Sequence, residues 1–382
     1  MEVQKITVFT EGNASSLKTW SNVPYFFTQT LIEQGYNVNK VDISAWNLVR
    51  KIYNHSINKI LSTLFPTQAY QFERSGLYNY LVERKIERYV KSDNSSDLYI
   101  FMTFTFYNKW NSVPSVIFSD WSYDYYIRER CKREPYFFEK RYLKKQIQSF
   151  QNATLTISLF KGCADYIKKQ VPEANVQFLG GNVINSLFQG IMDDERWILN
   201  KRNKIRLLFI GMKKYKEGAD LLIQSFSILK NKYPDAELHI IGMNKGDFQN
   251  IPDSVYCYGY LRKDDPAECR RYYELLISAT LFVNPTKEWA GYSSTIEAMY
   301  FYTPVVISPY QEFVREFGEC LSFGVYNREF TKEALYSDIR LLLANQQYNS
   351  LCEAAHDVVK SYTWDNYVKC FVNQVNVCSN LK

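Results

Sequence analysis

Histidine, glycine and paired cysteines are all scarce in this chain of 382 residues. The three histidines, His55, His239 and His356, are far apart, which argues against a histidine-based metal site. The 8 cysteines form no C-x-x-C motif and no other spacing typical of zinc or of a disulfide framework, so reduced thiols in the cytoplasm are expected. No run approaches the roughly 18–20 apolar residues of a membrane-spanning helix. Residues 1–12 pass directly into a strand-like segment, which predicts no secretory signal peptide.

The remaining composition is that of a globular protein. Hydrophobic residues make up 46% of the chain and charged residues 23%, proportions that disfavour both intrinsic disorder and a membrane-embedded protein. The length is sufficient for two domains that each bury a core. The net charge of +6 is mild. Since neither a basic domain nor a known nucleic-acid-binding motif is recognisable, nucleic acid is not an expected partner.

Short apolar segments alternate with longer helical ones along the chain, which is the pattern of parallel β-α-β units. The alternation stops in the charged segment 189–204, QGIMDDERWILNKRNK, and restarts at residue 205. The sequence therefore predicts an α/β protein with two doubly wound, Rossmann-like domains. We assign residues 1–188 to the first domain, 189–204 to a linker and 205–362 to the second domain. Ligands of such domains bind at the carboxyl ends of the strands.

The segment 285–299, PTKEWAGYSSTIEAM, follows a short apolar run and leads into helix-forming residues. This pattern predicts a strand, a loop and the first turn of a helix. Gly-Tyr-Ser-Ser-Thr at a helix start offers unpaired backbone N–H groups and the positive end of the helix dipole, which suits an anion. Two acids, Glu288 and Glu297, flank that start. Taken alone, they are also explained as a surface-loop residue and a partner of the helix dipole.

Three stretches of the second domain resemble the donor half of the retaining glycosyltransferases of family four, which have the GT-B fold. They are 207–246, beginning LLFIG, then YGYL at 258–261, then 279–308, ending PVVIS. SYTWDNY, at 361–367, resembles the family's closing helix, so residues 363–382 are expected to pack back on the first domain. That domain matches more loosely, through Gly12 in a glycine loop and Asp120 at a strand end. The resemblance implies two domains that face one another across a cleft.

In that family, two glutamates bracket a phosphate-binding helix start. The resemblance implies that Glu288 is the catalytic residue beside the anomeric carbon of the donor sugar and that Glu297 holds the nucleotide ribose. Here eight residues separate these glutamates, one more than is usual in the family. The backbone N–H groups expected to receive the diphosphate belong to Gly291, Ser293, Ser294 and Thr295. Gly12 is the expected donor contact of the first domain.

A second departure concerns the cations that neutralise the diphosphate. Met212 and Glu217 occupy the positions where the family has an arginine and a lysine. Lys213 and Lys216 are the expected replacements, because they lie close by and carry the required charge. A solvated basic loop is the alternative interpretation.

A third departure lies in the first domain. Many family members have a histidine before the first-domain acid, but here the pair is Ser119-Asp120. Asp120 is therefore interpreted as a strand-end cap or an acceptor-side residue rather than as a general base. A retaining reaction tolerates this loss, because the leaving phosphate can itself take the proton of the acceptor. The nearby Asp124 has no further ligand candidates around it, and the family works without metal, so no metal or other cofactor is expected.

The segment 123–147 concentrates basic and aromatic residues. They are Arg128, Arg130, Lys132, Arg133, Lys140, Arg141, Lys144 and Lys145, interleaved with Tyr125, Tyr126, Tyr136, Phe137 and Phe138. One interpretation is a solvated helical face whose long side chains cover apolar surface. The other is a surface that contacts an anionic membrane or a lipid phosphate. This second interpretation predicts peripheral attachment at the inner membrane face.

The leading hypothesis is a cytoplasmic, hexosyltransferase-type enzyme that moves a sugar, with retention, from a nucleotide-sugar to a glycan or lipid-linked acceptor. Cell-surface polysaccharide biosynthesis is the expected pathway. The alternative is a non-catalytic protein of the same fold that binds or stabilises an active enzyme. Met212 and Glu217 favour this alternative, whereas Glu288, Glu297 and the Gly-Tyr-Ser-Ser-Thr turn favour the enzyme. A sugar-nucleotide epimerase would need acid–base residues that three histidines hardly supply.

Overall fold

The computed structural model describes residues 3–64, 72–190, 192–249, 251–287 and 291–380. The chain divides into two compact units: unit 1 comprises Met1–Gly181 and Trp364–Lys382, and unit 2 comprises Asn182–Thr363. Each unit contains a six-stranded parallel sheet, so the predicted α/β fold with two Rossmann-like domains is confirmed. Among the helices in the described ranges, none combines the length and the apolar character that crossing a membrane requires.

A parallel sheet forms the centre of unit 1. Its strands are β1 (Lys5–Thr10), β2 (Asn37–Asp42), β3 (Leu98–Phe101), β4 (Ser115–Ser119), β5 (Leu155–Ser158) and β6 (Val176–Gln177). Its helices are α1 (Val23–Glu33), α2 (Asn47–Tyr53), α3 (Lys59–Leu64), α4 (Gly76–Ser92), α5 (Tyr123–Tyr125), α6 (Lys140–Asn152) and α7 (Lys161–Gln170). The spatial order β2-β1-β3-β4-β5-β6 reverses direction between β1 and β3, which is where a doubly wound sheet opens a crevice.

Unit 2 repeats this architecture. Its strands are β7 (Arg206–Ile210), β8 (Glu237–Ile241), β9 (Val255–Cys257), β10 (Leu281–Asn284), β11 (Val305–Ile307) and β12 (Gly324–Tyr326). Its helices are α8 (Asp194–Lys201), α9 (Lys216–Lys232), α10 (Pro266–Ser278), α11 (Ser293–Tyr300), α12 (Gln311–Phe317), α13 (Lys332–Leu343) and α14 (Tyr348–Val359). The order β12-β11-β10-β7-β8-β9 reverses between β7 and β10. The loops that follow these two strands therefore flank the crevice of unit 2.

The core of unit 2 forms because its strands are apolar on both faces. Leu207, Leu208 and Phe209 of β7 are all buried, as expected for a parallel strand covered by helices on each side. Helix α9 contributes Leu222 and Phe226 from one face, at the four-residue spacing that places side chains on the same side of a helix. This packing fixes the direction of both elements and brings the end of β7 to the start of α9.

The segment 189–204, which the sequence analysis assigned to a linker, contains a folded helix, α8. The side chain of Asp193 accepts a hydrogen bond from the first turn and caps the helix. Lys201 is fully buried, and its ammonium group donates to two backbone carbonyls and to Thr303 Oγ1 at 2.9 Å. The charge pattern concealed this packing, and the division between the units falls after residue 181 instead.

The last helix, α15 (Trp364–Asn380), belongs to unit 1 although it follows unit 2 in the chain. The ring of Phe371 packs against that of Phe27 in α1, with 5.0 Å between centroids. Gln34 Nε2 donates to the Asp365 carboxylate at 2.9 Å. Apolar packing along α15 therefore joins the end of the chain to the first sheet.

Candidate functional site

Glycines line the carboxyl edge of the unit 2 sheet, where β7, β8 and β9 end. Gly242 has a φ of +100°, and a Cβ atom there would lie 2.4 Å from the carbonyl oxygen of Gly211. The Gly242 N–H donates to the carbonyl of Gly259 at 2.7 Å. Because a side chain does not fit between these strand ends, their backbones lie in direct contact. Backbone atoms, rather than side chains, therefore form this edge of the sheet.

The first turn of α9 lies directly against the loop that follows β10. A Cβ atom at Gly218 would lie 2.4 Å from Thr286 Oγ1 and 3.0 Å from the backbone nitrogen of Thr286. This approach requires glycine, since any side chain would push the two segments apart. The contact brings the start of α9 close to the segment that leads to Glu288. Glu288 itself lies outside the residues that the structure describes.

Helix α11 begins at Ser293, as the Gly-Tyr-Ser-Ser-Thr pattern predicts. Ser293 Oγ donates to Asn182 Oδ1 at 2.8 Å, and the Asn182 N–H donates to the hydroxyl of Tyr292 at 3.4 Å. Tyr292 provides no side-chain cap, so the N–H groups of the first turn keep the outward direction of a helix start. The other residues predicted to bind the diphosphate lie at the same start: half-buried Gly291 and Ser294, and buried Thr295.

Four buried polar atoms at this edge have no hydrogen-bond partner within the described part of the chain. They are Asn182 Nδ2, Asn284 Nδ2, Thr286 Oγ1 and Ser308 Oγ. Asn284 ends β10, Ser308 follows β11, and Asn182 contacts the start of α11. All four groups can donate a hydrogen bond. Buried polar groups are normally paired, so this concentration favours a site for an oxygen-rich ligand.

Glu297 is buried in α11, and both of its carboxylate oxygens are hydrogen bonded. Lys263 Nζ donates to Oε1 at 2.8 Å, and the Tyr272 hydroxyl donates to Oε2 at 2.8 Å. The Tyr273 hydroxyl lies 3.4 Å from Oε1. Burial, followed by the charge of Glu297, raises the pKa of both phenols, so they remain protonated donors. Lys263 also donates to the carbonyl of Asn185 at 2.6 Å.

Sequence reasoning did not identify Lys263 as the partner of Glu297. The available signal was a lysine in the loop after β9, at the same carboxyl edge where parallel sheets bind ligands. The pairing means that Glu297 is not an isolated acceptor. One lysine and two tyrosines orient its carboxylate.

The two lysines expected to replace the family's cations are paired with acids of unit 2. Lys213 Nζ lies 2.9 Å from Asp247 Oδ1, and Lys216 Nζ lies 2.5 Å from Asp220 Oδ2. Lys213 is 75% exposed, whereas Lys216 is half-buried at 36%. An ion pair in water contributes little and exchanges readily. Each lysine is therefore near the start of α9 but has its charge balanced by a carboxylate.

The family's cation positions carry no positive charge in this chain. Met212 is 49% exposed, and the side chain of Glu217 is 82% exposed. Glu217 lies 3.8 Å from Lys287, the residue before Glu288. Lys287 is thus a further cation at this edge that the sequence analysis did not consider.

In unit 1, Gly12 and Asp120 lie at the ends of β1 and β4. Gly12 has a φ of +113°, and its N–H donates to Asp42 Oδ1 at 3.1 Å. The carboxylate of Asp120 accepts the Trp121 N–H at 2.7 Å and the Trp20 indole N–H at 3.4 Å. Burial raises the pKa of Asp120, while these hydrogen bonds oppose the shift. The geometry is that of a carboxylate that caps a strand end.

A cavity of about 690 Å³ lies beside the end of β1 in unit 1. Its charged lining residues are Glu11, Arg50, Glu73 and Arg74, and Tyr78 and Tyr142 line it as well. Arg50 pairs with Glu73 at 2.7 Å. Desolvation of the Glu11 carboxylate by the surrounding protein raises its pKa, and a hydrogen bond from the Tyr78 hydroxyl opposes the rise. Sequence reasoning missed this cavity, for which Glu11-Gly12 at a strand end was the signal.

The basic segment 123–147 balances much of its own charge. Arg133 forms two 2.8 Å hydrogen bonds with Glu139, and Arg128 contacts Asp124 at 3.1 Å. Lys145 pairs with Glu83 of α4 at 3.0 Å. These contacts are those of a folded surface whose cations have local partners. The membrane interpretation of this segment stays a prediction.

The comparisons with known proteins agree with this architecture. A family model described as "Glycosyl transferases group 1" matches residues 204–345, all within unit 2. No curated protein matches the chain. Sucrose-phosphate synthase from Thermosynechococcus elongatus is similar over 99% of this chain and 100% of its own, with a TM-score of 0.70 and 13% identity.

Two other solved structures are similar over nearly the whole chain. WaaG, a glycosyltransferase involved in lipopolysaccharide biosynthesis, has a TM-score of 0.63 and 12% identity, covering 97% of this chain and 99% of its own. HepE from Anabaena, in complex with UDP and glucose, has a TM-score of 0.59 and 14% identity, covering 98% and 99%. The chain therefore has the GT-B fold, and its unit 2 carries a segment that matches the glycosyl transferases group 1 family.

Proposed function

We propose that this protein is a retaining glycosyltransferase that uses a nucleotide-sugar donor. The observation that carries the proposal is the set of four unpartnered donors, among the described residues, at the carboxyl edge of the unit 2 sheet, one of which, Asn182, contacts the start of α11. Together with the helix dipole and first-turn N–H groups, they match the needs of a diphosphate. The UDP and glucose in the HepE structure motivate UDP-sugars as the first donors to test.

In the proposed reaction, Glu297 binds the ribose, and Glu288 stabilises the positive charge that develops at the anomeric carbon. The bond from that carbon to the phosphate oxygen breaks, and the acceptor oxygen bonds to the same face. The leaving phosphate takes the acceptor's proton, so no histidine base is required. The helix start and nearby lysines neutralise the diphosphate, and we propose that the reaction needs no metal.

Lys213 and Lys216 serve this role only if they exchange carboxylate partners. Asp220 is 38% exposed and can be released to water, whereas Asp247 is 17% exposed and also accepts the Asn244 N–H, so Lys216 can change partner more easily than Lys213. Binding of a diphosphate would then replace one anionic partner by another. Because the existing ion pair must break first, each lysine is expected to contribute less to the free energy of diphosphate binding than an unpaired lysine would.

We propose that the unit 1 cavity receives a polar acceptor. Glu11 and the Arg50–Glu73 pair offer both donors and acceptors to sugar hydroxyls. A hexosyl transfer to a glycan or lipid-linked sugar at the cytoplasmic face, in cell-surface polysaccharide biosynthesis, fits this chemistry. The 8 cysteines are all free, which suits the cytoplasm.

A second candidate is a non-catalytic partner of a glycosyltransferase. Met212 and Glu217 at the cation positions, together with the paired lysines, favour it. Such a protein would keep the fold and bind nucleotide weakly without turning it over. The two candidates differ in nucleotide release.

The test measures nucleotide release from UDP-sugars and GDP-sugars by the full chain, with and without glycan acceptors, alongside thermal shift. A nucleotide at 100 times its dissociation constant adds roughly 2.7 kcal/mol of stability. Glu288→Gln should abolish release while leaving nucleotide affinity largely intact, because it removes charge beside the reacting carbon. The matched control Glu319→Gln, on an exposed loop, should behave as wild type.

Stabilisation by nucleotide without release from any donor would support the non-catalytic candidate. No stabilisation by any nucleotide would reject the proposed site. Release by Glu288→Gln within a few fold of wild type would leave the site standing but remove Glu288 from its catalytic role.

A further inference from the structure

A helical segment of unit 1 exposes an unusual number of large apolar side chains. It runs from Trp46 through α2, a π-helical turn (Asn54–Asn58) and α3 to Leu64. The exposed fractions are 73% for Trp46, 68% for Leu48, 60% for Ile52, 45% for Ile57, 61% for Ile60 and 65% for Leu64. Single exposed apolar residues are normal on soluble proteins, but a concentration of this kind marks an interaction surface.

The π-helical turn aligns these side chains. In an uninterrupted α-helix, the five residues from Leu48 to Leu64 would spread over about 180° of the circumference. The wider π turn advances each residue by roughly 80°, which gathers the same five into a stripe about 110° wide. We call Trp46 and these five residues the apolar stripe.

The face next to the stripe, on the side of Ile57, holds the segment on unit 1. Tyr53 is buried, and its ring lies 5.0 Å from that of Phe72. Val49 and Leu61 are half-buried on the same side. The segment thus keeps its own contacts with unit 1 while the apolar stripe stays accessible.

The charges that the segment itself carries have one sign. No aspartate or glutamate occurs between residues 43 and 72. Lys51, His55 and Lys59 recur at four-residue spacing, and all three are exposed. On the same helical projection they form a row that borders the apolar stripe. Arg50 points elsewhere and pairs with Glu73.

We propose that the segment 46–64 is an interfacial helix that lies on an anionic lipid bilayer. The apolar stripe enters the boundary between headgroups and acyl chains, Trp46 lies at the headgroup level, and Lys51 and Lys59 contact anionic headgroups. A two-fold contact between copies is disfavoured, because it would bring the basic rows of both stripes together without an acidic complement. This proposal concerns binding alone and does not depend on transferase activity.

The basic segment 123–147 is the competing membrane surface within the same unit. Several of its cations already have carboxylate partners, including Arg128, Arg133 and Lys145. The stripe combines apolar area with cations that have no acid nearby in sequence. It therefore fits an anionic bilayer better than 123–147 does.

The experiment is co-sedimentation of the full chain with vesicles of equimolar phosphatidylglycerol and phosphatidylcholine, compared with phosphatidylcholine alone, at low and high salt. Wild type should bind the anionic vesicles, with weaker binding at high salt. The triple variant Leu48→Asn, Ile52→Asn, Ile60→Asn should lose at least about ten-fold in partition coefficient, because each side chain is mostly exposed and supplies apolar contact only with lipid. The pair Lys51→Gln, Lys59→Gln should bind more weakly and lose its salt dependence.

Two control variants separate the stripe from other surfaces. Leu199→Asn with Leu341→Asn removes leucines that are 66% and 61% exposed outside the segment. Lys132→Gln with Lys144→Gln lowers the charge of 123–147. Both should bind as wild type does.

Wild type that stays in the supernatant with anionic vesicles overturns the proposal, as does an equal loss in the controls. A different result would be that wild type does not bind vesicles but sediments as a dimer, whereas the triple stripe variant sediments as a monomer. The surface would then be a contact between copies of the chain. Circular dichroism and melting temperature of each variant report whether its fold is intact.

Discussion

The buried contact between Lys263 and Glu297 allows a test of how the candidate site is held together. Only 13% of the lysine side chain and 5% of the glutamate side chain are exposed, and their charged atoms are 2.8 Å apart. Lys263→Met would leave the carboxylate with Tyr272 and Tyr273 as its donors. Glu297→Gln would leave the ammonium with the carbonyl of Asn185. Each single change therefore leaves a buried charge without its counter-ion.

Removing one member of a buried ion pair typically costs about 3–5 kcal/mol. Unit 2 spans residues 182–363, a size at which 1 kcal/mol shifts the melting temperature by roughly 2–4 °C. Each single variant should therefore melt about 6–20 °C lower than wild type. The double variant carries no unpaired charge, so its loss of stability should fall at least ~2 kcal/mol short of the sum of the single losses.

Calorimetric and urea-induced unfolding of the four proteins supply the double-mutant cycle. Lys360→Met is the matched control, because its ion pair with Asp357 has the same 2.8 Å separation but is 59% and 62% exposed. That control should change stability by no more than about 0.5–1 kcal/mol.

Nucleotide titration adds a functional measurement to the same variants. Glu297→Gln should weaken UDP binding through the loss of a charged acceptor for the ribose, by about 1.5–3 kcal/mol. Additive losses in the cycle, or single variants that melt within ~2 °C of wild type, would refute the reasoning about buried charge. Unchanged UDP affinity in Glu297→Gln would instead refute its proposed ribose contact and leave the stability argument intact.

Two further predictions concern packing and pH. Gly218→Ala should destabilise the protein by about 1–3 kcal/mol and weaken nucleotide binding, because the new methyl group collides with Thr286; Gly246→Ala, with open space around it, is the control in the same unfolding assay. Burial lowers the pKa of His239 to about 4, so the unfolded state binds the extra proton between pH 6.5 and 4, and stability falls by roughly 3 kcal/mol as pH drops through that window. His239→Gln should remove that part of the pH dependence of unfolding, whereas His55→Gln should keep it; equal slopes in both variants would contradict the assignment.

Local patterns were sufficient to predict much of this protein. The alternation of apolar and helical segments located strands such as β7 and β10, because parallel strands buried on both faces must be apolar throughout. The Gly-Tyr-Ser-Ser-Thr turn predicted the start of α11 at Ser293, because the signals for a helix start act within a single turn of the chain. The two-domain α/β fold follows from the same local signals.

Those local patterns did not predict contacts between residues that are far apart in the sequence. Glu297 and Lys263 are separated by 34 residues, and the two lysines near α9 pair with Asp247 and Asp220. The charged segment 189–204 resembles a linker in composition, yet its Lys201 is buried among carbonyl oxygens. Which charged residues come into contact depends on how the helices and strands pack, and the composition of a segment does not determine that packing.

The apolar stripe shows the same division most directly. Leu48, Ile52 and Ile60 have the sequence character of core residues, and a regular helix would have spread them over about 120° of its circumference. A π-helical turn and the anchoring of Tyr53 align them on the outside of unit 1. Residue type fixes whether a side chain prefers to leave water, but the packing of the backbone fixes whether the rest of the chain is there to cover it.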